Sequence, residues 1–200
     1  LLIIFSPRYR MRAKNLYMDY LLDGVAKEYA EKLNDTLHIG QFYGRAERLV
    51  RLNADGKKIY TPTYFDESKA CYTELIPDDS RFLYGFFYAG DPQEVEYTDN
   101  VAFTVTSPMS FIVWFNMAEL GNGRGFRPRD YIKALFLDLF NGRLGIRSGR
   151  FVIKKVYELA ENIWRGFSYD EIDNQFLMQP YCGYRFEGEM TATQNCHIEL

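Results

Sequence analysis

Apolar residues fill every position from Phe111 to Phe115, with Phe111, Val113 and Phe115 alternating against Ile112 and Trp114. Aromatic and β-branched residues at a period of two predict a strand, and two apolar sets predict an interior strand covered on both faces. The loop Gly121-Asn122-Gly123-Arg124-Gly125 follows, rich in residues that tolerate positive φ. Pro128 suits the first turn of a helix and Asp130 its positive end. Ile132, Leu135, Phe136 and Leu139 then recur at helical spacing, and Asn141-Gly142 predicts the stop. The rest of the chain is expected to be arranged around this strand–loop–helix unit, Ser110 to Asn141.

Upstream, Tyr17, Leu21, Val25, Tyr29 and Leu33 predict a first helix over roughly 13–34, ending at Asn34-Asp35 behind a basic lead-in of Arg8, Arg10, Arg12 and Lys14. From Thr36 to Asn100 turn signals crowd together, among them Gly40, Asn53 to Gly56, Pro62, Pro77 to Ser80 and Gly90 to Pro92. Short β-type runs lie between them, and Asp55-Gly56 between Leu49–Leu52 and Ile59-Tyr60 predicts a hairpin. The segment reads as a β-rich insertion. A strand over 101–106 is expected to turn at Ser107-Pro108 into the central strand. Beyond the central helix come a second glycine–arginine loop over 141–150 and a strand over 151–157. A helical turn or a continuing strand is expected over 158–164, and a loop or helical turn over 170–178. The last strand, over 183–193, places Tyr184, Phe186, Gly188 and Met190 on one face and Arg185, Glu187 and Glu189 on a solvated one.

Composition enlarges this picture in three ways. Two hundred residues at 47% hydrophobic suit one domain with a proper core, and 16 Tyr with 16 Phe make that core aromatic. A net charge of −3 excludes a bulk polyanion binder, yet the charge is unevenly placed. Residues 124–155 carry nine bases against two acids, a net +7, whereas residues 156–200 carry two bases against eight acids, a net −6. Complementary patches of this kind favour head-to-tail association, which closes into a ring when the rotation permits. Glycine–arginine loops also suit a phosphate backbone, and the two uses are compatible if the loops line a ring. Cys71, Cys182 and Cys196 are odd in number and unevenly spaced, which predicts free thiols and a reducing compartment rather than a disulfide framework. The opening LLIIF is too short for a signal-peptide core, and no run approaches a membrane span.

Catalytic patterns are weak throughout. Asp78-Asp79 with Glu94 and Glu96 resembles a metal-dependent nuclease core only until the missing lysine is noticed, since Val95 separates the two glutamates. Pro77 to Ser80 is also ordinary turn chemistry. Gly121 to Gly125 lacks the Gly-Lys-Ser/Thr ending of a phosphate-binding loop. Only His38 and His197 are present, too few for a zinc site without a C-x-x-C pair. No catalytic residue, cofactor or metal ligand is assigned.

The series of first helix, VAFTVTSPMSFIVWFNM strand pair, RPRDYIKALFLDLFNG helix, GRFVIKKVYE strand and closing DEIDNQFLMQPYCGYRFEGEMTATQNC segment resembles the tail terminator or tail completion proteins of tailed bacteriophages. The resemblance covers Val101 to Cys196 and the first helix, and rests on element order. It implies an α+β fold, mostly antiparallel, with two main helices on one face of the sheet and the β-rich segment 36–100 added. It also implies a virion protein without catalysis, forming a homo-oligomeric ring at the head–tail neck or tail end, beside neighbouring neck, portal-adaptor or tail proteins and with DNA passing through. On that expectation Arg124, Arg127, Arg129, Arg143, Arg147 and Arg150 make intersubunit or DNA contacts, opposed by Asp170, Glu171 and Asp173 of the next subunit. Two other classes compete, a metal-dependent, nuclease-like enzyme and a monomeric aromatic-rich binding module.

Overall fold

Strand β6 (Ala102–Asn116) carries no exposed side chain from Met109 to Phe115, because both of its faces are covered. The computed structural model describes residues 18–66, 69–78, 80–90, 94–98, 102–120, 127–168, 172 and 174–195. Helix α1 (Met18–Leu37) leads into strands β1 (Gln41–Leu52), β2 (Lys58–Asp66), β3 (Cys71–Glu74), β4 (Leu83–Ala89) and β5 (Glu94–Thr98) before β6. Helix α2 (Pro128–Asp138), strand β7 (Gly149–Tyr157), the short helix α3 (Ala160–Ile163), a 3₁₀ turn (Asn174–Leu177) and strand β8 (Tyr181–Asn195) follow among the described residues. The eight strands form one sheet in the order β3-β2-β1-β4-β6-β8-β7, with β5 also on β6. Only the β1–β4 pair is parallel, so the fold is α+β with a mostly antiparallel sheet.

Both main helices pack on one face. The apolar stripes of α1 (Leu22, Val25, Ala26, Tyr29, Leu33) and α2 (Ile132, Phe136) meet Phe111, Val113 and Phe115 of β6, as their spacing predicts. Aromatic rings dominate the contact: Phe111 lies 4.9 Å from Phe87, 5.0 Å from Phe140 and 5.3 Å from Phe136 between centroids. Ile112 and Trp114 point to the other face, into a second cluster with Phe86, Ile163, Trp164 and Phe176. Residues of α3, Trp164, Phe167, Ile172 and the 3₁₀ turn thus roof that face. Helix α2 passes through a π turn (Leu139–Arg143) and stops at Gly142, whose φ of 96° only glycine adopts readily.

Three expectations are corrected. The segment 36–100 is not an appended insertion, since β1 and β4 are members of the common sheet and β4 pairs directly with β6. The expected hairpin is present, with Val50 opposite Tyr60 and Leu52 opposite Lys58. Its strands, together with β3, form a wing reached through β1, which pairs with β4 over 41–46 and with β2 over 47–52. Second, Pro62 and Pro108 lie inside strands rather than at turns. Each sits where the neighbouring strand changes: the Pro108 carbonyl accepts from Gly90 N (2.7 Å) between β4 and β5, and the Pro62 carbonyl from Leu75 N (2.8 Å) just beyond β3. At such seams the missing N–H leaves no ladder bond unmade. Third, α1 runs on to Leu37 instead of stopping at Asn34. The Asn34 side chain serves β1 instead, donating to Phe42 O (2.9 Å) and accepting from Phe42 N (2.8 Å).

Close approach of β7 to β8 generates a stability prediction. A Cβ on Gly188 would lie 1.9 Å from the Val152 carbonyl oxygen, whereas one on Gly24, exposed in α1, would touch nothing. Gly188→Ala is expected to lower unfolding free energy by about 2 kcal/mol or more, and Gly24→Ala to raise it by about 0.5–1 kcal/mol. Urea denaturation of the two variants checks both signs.

Candidate functional site: a basic cleft and an open sheet face

At the carboxyl end of β6, where the chain leaves the sheet to begin α2, a cleft of about 480 Å³ opens between the first turn of α2, the Glu158–Ala160 turn and the start of β8. Arg127 precedes the helix in extended conformation (φ −64°, ψ 126°), and no side chain caps the helix start. Pro128 begins the helix without requiring an acceptor. Arg129 turns back across the cleft, its guanidinium donating to Glu158 O at 2.9 Å and lying 3.2 Å from the Glu158 carboxylate. The Tyr184 ring sits under that guanidinium at 5.6 Å, and the Tyr184 hydroxyl donates to Arg129 O at 2.7 Å. Lys133 donates to Glu158 Oε1 at 2.7 Å; this bond, outweighing burial, holds the Glu158 carboxyl below its ordinary value of 4.5. Cys182, in the cleft wall, has its thiol pushed up to about 12 by burial. Trp114 also lines the cleft at 3% exposure, and its indole N–H has no acceptor. Arg129 and Lys133 both pair with Glu158, and Arg127 adds a further cation to the lining.

The other half of the roofed face is open. Beyond Ser110 the roof ends, and Glu94, Thr106, Thr191 and Arg150 stand in one cross-strand row over β5, β6, β8 and β7. In the next row, Glu96 stands beside Thr104 and Thr193. Threonine hydroxyls bond across at 3.2 Å in both rows. The face is therefore acidic at its β5 flank and basic at its β7 flank, where Arg150, Lys154 and Lys155 are exposed. The β7 edge itself resists strand addition: Tyr29 Oη accepts from Phe151 N (2.9 Å), a bulge interrupts the strand between Ile153 and Lys155, and lysines flank it.

The structure separates the residues singled out in the sequence. Arg127 and Arg129 share the cleft. Arg143 is paired within the chain to Asp138 at 2.7 Å. Arg147 and Arg150 are exposed at the start of β7, where Glu28 accepts from Arg147 N (2.9 Å) and Ser148 N (2.9 Å). Arg124, Asp170, Glu171 and Asp173 lie outside the described residues, as does Cys196. Of the nuclease-like acids, Asp78 is held by Arg81 (2.7 Å) and Ser80, the turn role, while Asp79 lies outside the described residues. Among the described residues no group of three or more His, Cys, Asp or Glu is placed to hold a metal ion. Cys71 and Cys182 are free thiols. No helix among the described residues is long and apolar enough to cross a membrane.

Sequence reasoning missed Arg185. It was expected on a solvated face, but it is 5% exposed beneath the roof. Its guanidinium donates to Arg165 O (2.7 Å), Ile163 O (3.3 Å) and Ser110 Oγ (3.1 Å), and pairs with Glu187 at 3.0 Å. The alternation of β8 with polar residues 185, 187 and 189 is the same for a solvated face as for one bolted to a loop, so no local signal distinguishes them. Burial lowers its affinity for the proton, with Glu187 acting in opposition.

No protein-family model matches this chain, and a search of curated proteins found no significant match.

Two outcomes follow from this geometry. Arg185→Ala strips the roof carbonyls of their charged donor while Glu187 keeps Arg165, so a loss of about 1.5–3 kcal/mol is expected. Limited proteolysis checks it: cleavage between 165 and 178 should accelerate more than cleavage in β1–β2. Alkylation with iodoacetamide at neutral pH should modify exposed Cys71 well before Cys182, because the thiolate is the nucleophile and Cys182 forms it only near pH 12. Peptide mapping by mass spectrometry reads the order.

Proposed function

We propose that this protein is a structural subunit that assembles head to tail into a ring at the neck or tail end of a tailed phage, working by assembly rather than catalysis. The observation that carries the reading is the polarised open face, with Glu94 and Arg150 at opposite ends of one row. A surface acidic on one flank and basic on the other complements a rotated copy of itself, the requirement of a heterologous contact. The α+β architecture with two helices on one face agrees with the resemblance drawn from element order.

Two of the six arginines first expected at the contact, Arg129 and Arg143, have partners within the subunit. The basic side of the contact therefore falls to Arg147 and Arg150 with Lys155, and the acidic side to Glu94 and Glu96. Because the β7 edge is closed to backbone pairing, the contact is made by side chains. Charge alone does not fill the roughly 800 Å² per partner that a stable interface buries. The wing supplies apolar area, with Val50 53% and Leu52 65% exposed at its tip.

Light scattering at low and high salt tests the reading. The wild type should give a discrete oligomer of several subunits that weakens as salt rises. Arg147→Glu with Arg150→Glu should give a folded monomer, and mixing it with Glu94→Lys/Glu96→Lys should restore a mixed assembly. A wild-type monomer at every concentration and salt, or a ring indifferent to the reversals, would overturn the assignment.

A further inference from the structure

A sheet edge carries unpaired backbone groups that can pair with another strand, and the edges of this sheet are unequally guarded. Tyr29, a bulge and flanking lysines close the edge of β7. On the outer side of β2, residues 63–66 pair with β3 and the Tyr60 backbone exchanges two bonds with Ser168. The far half of β1 has no such cover. Beyond Ala46 it leaves β4, so Glu47-Arg48-Leu49-Val50-Arg51-Leu52 has β2 on one side and no described strand on the other. All six residues are exposed, and the run holds no lysine, proline or bulge.

Register shows which backbone groups are on offer. Tyr60 turns its N–H and C=O away from β1 to Ser168, and the Pro62 carbonyl turns away to Leu75 N. In an antiparallel ladder, the residue opposite an outward-turned one is itself turned outward. Val50 lies opposite Tyr60, and Arg48 opposite Pro62. The N–H and C=O groups of Arg48 and Val50 therefore point out of the free edge, where no described backbone group meets them.

We propose that this edge pairs with the same edge of a second copy of the chain, antiparallel about a twofold axis at Leu49. Arg48 then faces Val50 of the second copy, and the two exchange N–H···O=C bonds. Leu49 meets its own equivalent, and Glu47 stands opposite Arg51 on both sides of the axis. The pattern is self-complementary because Glu47 and Arg51 lie four apart on one face of the strand. Glu47 has no ion pair among the described residues, and the bridge from Arg51 to Glu74 is long at 3.4 Å and exposed. Arg48 adds no repulsion, since its guanidinium lies over Tyr60 at 4.6 Å and donates to Gly166 O at 3.4 Å. An axis at Val50 would instead set Leu49 against Arg51 and leave Glu47 facing Asn53.

One strand pair is far smaller than a stable interface, so separate subunits pair weakly. A ring would repeat the contact around its axis and join a second ring through many copies at once. That consequence rests on the ring reading, whereas the contact itself does not. Backbone pairing consumes the edge and leaves the Val50 and Leu52 side chains for the contact within a ring.

Disulfide trapping tests the register. Cys71 and Cys196 are replaced by serine, Cys182 is common to all variants, and Arg147→Glu/Arg150→Glu keeps the subunits out of rings. Opposed residues that do not share backbone bonds lie about 4.5 Å apart at Cα, within disulfide reach. Leu49→Cys in a glutathione couple should form a covalent dimer about tenfold or more faster than Arg51→Cys, whose copies would lie about 14 Å apart. Val50→Pro removes an outward N–H and no β1–β2 bond, so it should slow Leu49→Cys trapping about tenfold at unchanged melting temperature. Glu47→Arg supplies a second arm: it should slow trapping about threefold or more, and adding Arg51→Glu should restore the rate. The proposal fails if positions 49 and 51 trap equally fast, if folded Val50→Pro traps as fast as its parent, or if the charge reversal is not rescued. Light scattering of the unsubstituted chain reads the ring separately, so either can fail alone.

Discussion

Everything in this fold depends on burying both faces of β6. A strand with Phe111, Val113 and Phe115 on one side and Ile112 and Trp114 on the other has no stable solvent-facing orientation, so two separate covers are required. The helices provide one and the irregular stretch after β7 the other. Each large ring buries on the order of 150–250 Å², and the Phe111 cluster alone brings β4, α2 and the π turn together. Placement of the cleft follows directly, because it forms where β6 leaves its two covers and the chain turns into α2.

The two covers are fastened by different physics. The helical cover is held by interdigitated apolar stripes, which need no particular partner and tolerate small shifts. The roof carbonyls of Ile163 and Arg165 need donors of their own. Arg185 meets that need from below, and Ser168 exchanges two hydrogen bonds with Tyr60 at the roof's far side (2.8 and 3.0 Å). A long cation under a loop is a costly way to build stability, but it fixes one arrangement of donors and acceptors. Trp164 and Phe176 are buried beneath the roof so fastened.

Charge takes on a different meaning once the chain is folded. The +7 segment and the −6 segment are far apart in sequence type, yet Arg129 and Lys133 close onto Glu158, and Lys154 onto Glu189. Part of the apparent segregation is therefore spent inside one subunit, where exposed pairs contribute little stability. What survives at the surface is narrower and better placed: a basic β7 flank and an acidic β5 flank.

The central strand, the α2 stripe, the Gly142 stop, the Asp55-Gly56 hairpin and the inward face of β8 were all legible in the sequence, because each is a local periodicity or a local backbone demand. So were the α+β class and the two helices on one face. The status of segment 36–100 was not legible, since strands that pair with distant partners look the same whether they extend a sheet or sit beside it. Pro62 and Pro108 read as turns because their tolerance depends on which neighbour is missing at that rung, and only the pairing shows this. The cleft had half a signal, in that Arg127 and Arg129 stood out, but Trp114, Glu158 and Cys182 come from three other elements. Arg185 had none. The sequence by itself determined the elements and the direction their apolar sides face. Which polar groups would be buried, paired or left reaching for a partner was decided only by the tertiary structure, because burial and charge compensation belong to neighbours brought together from far along the chain.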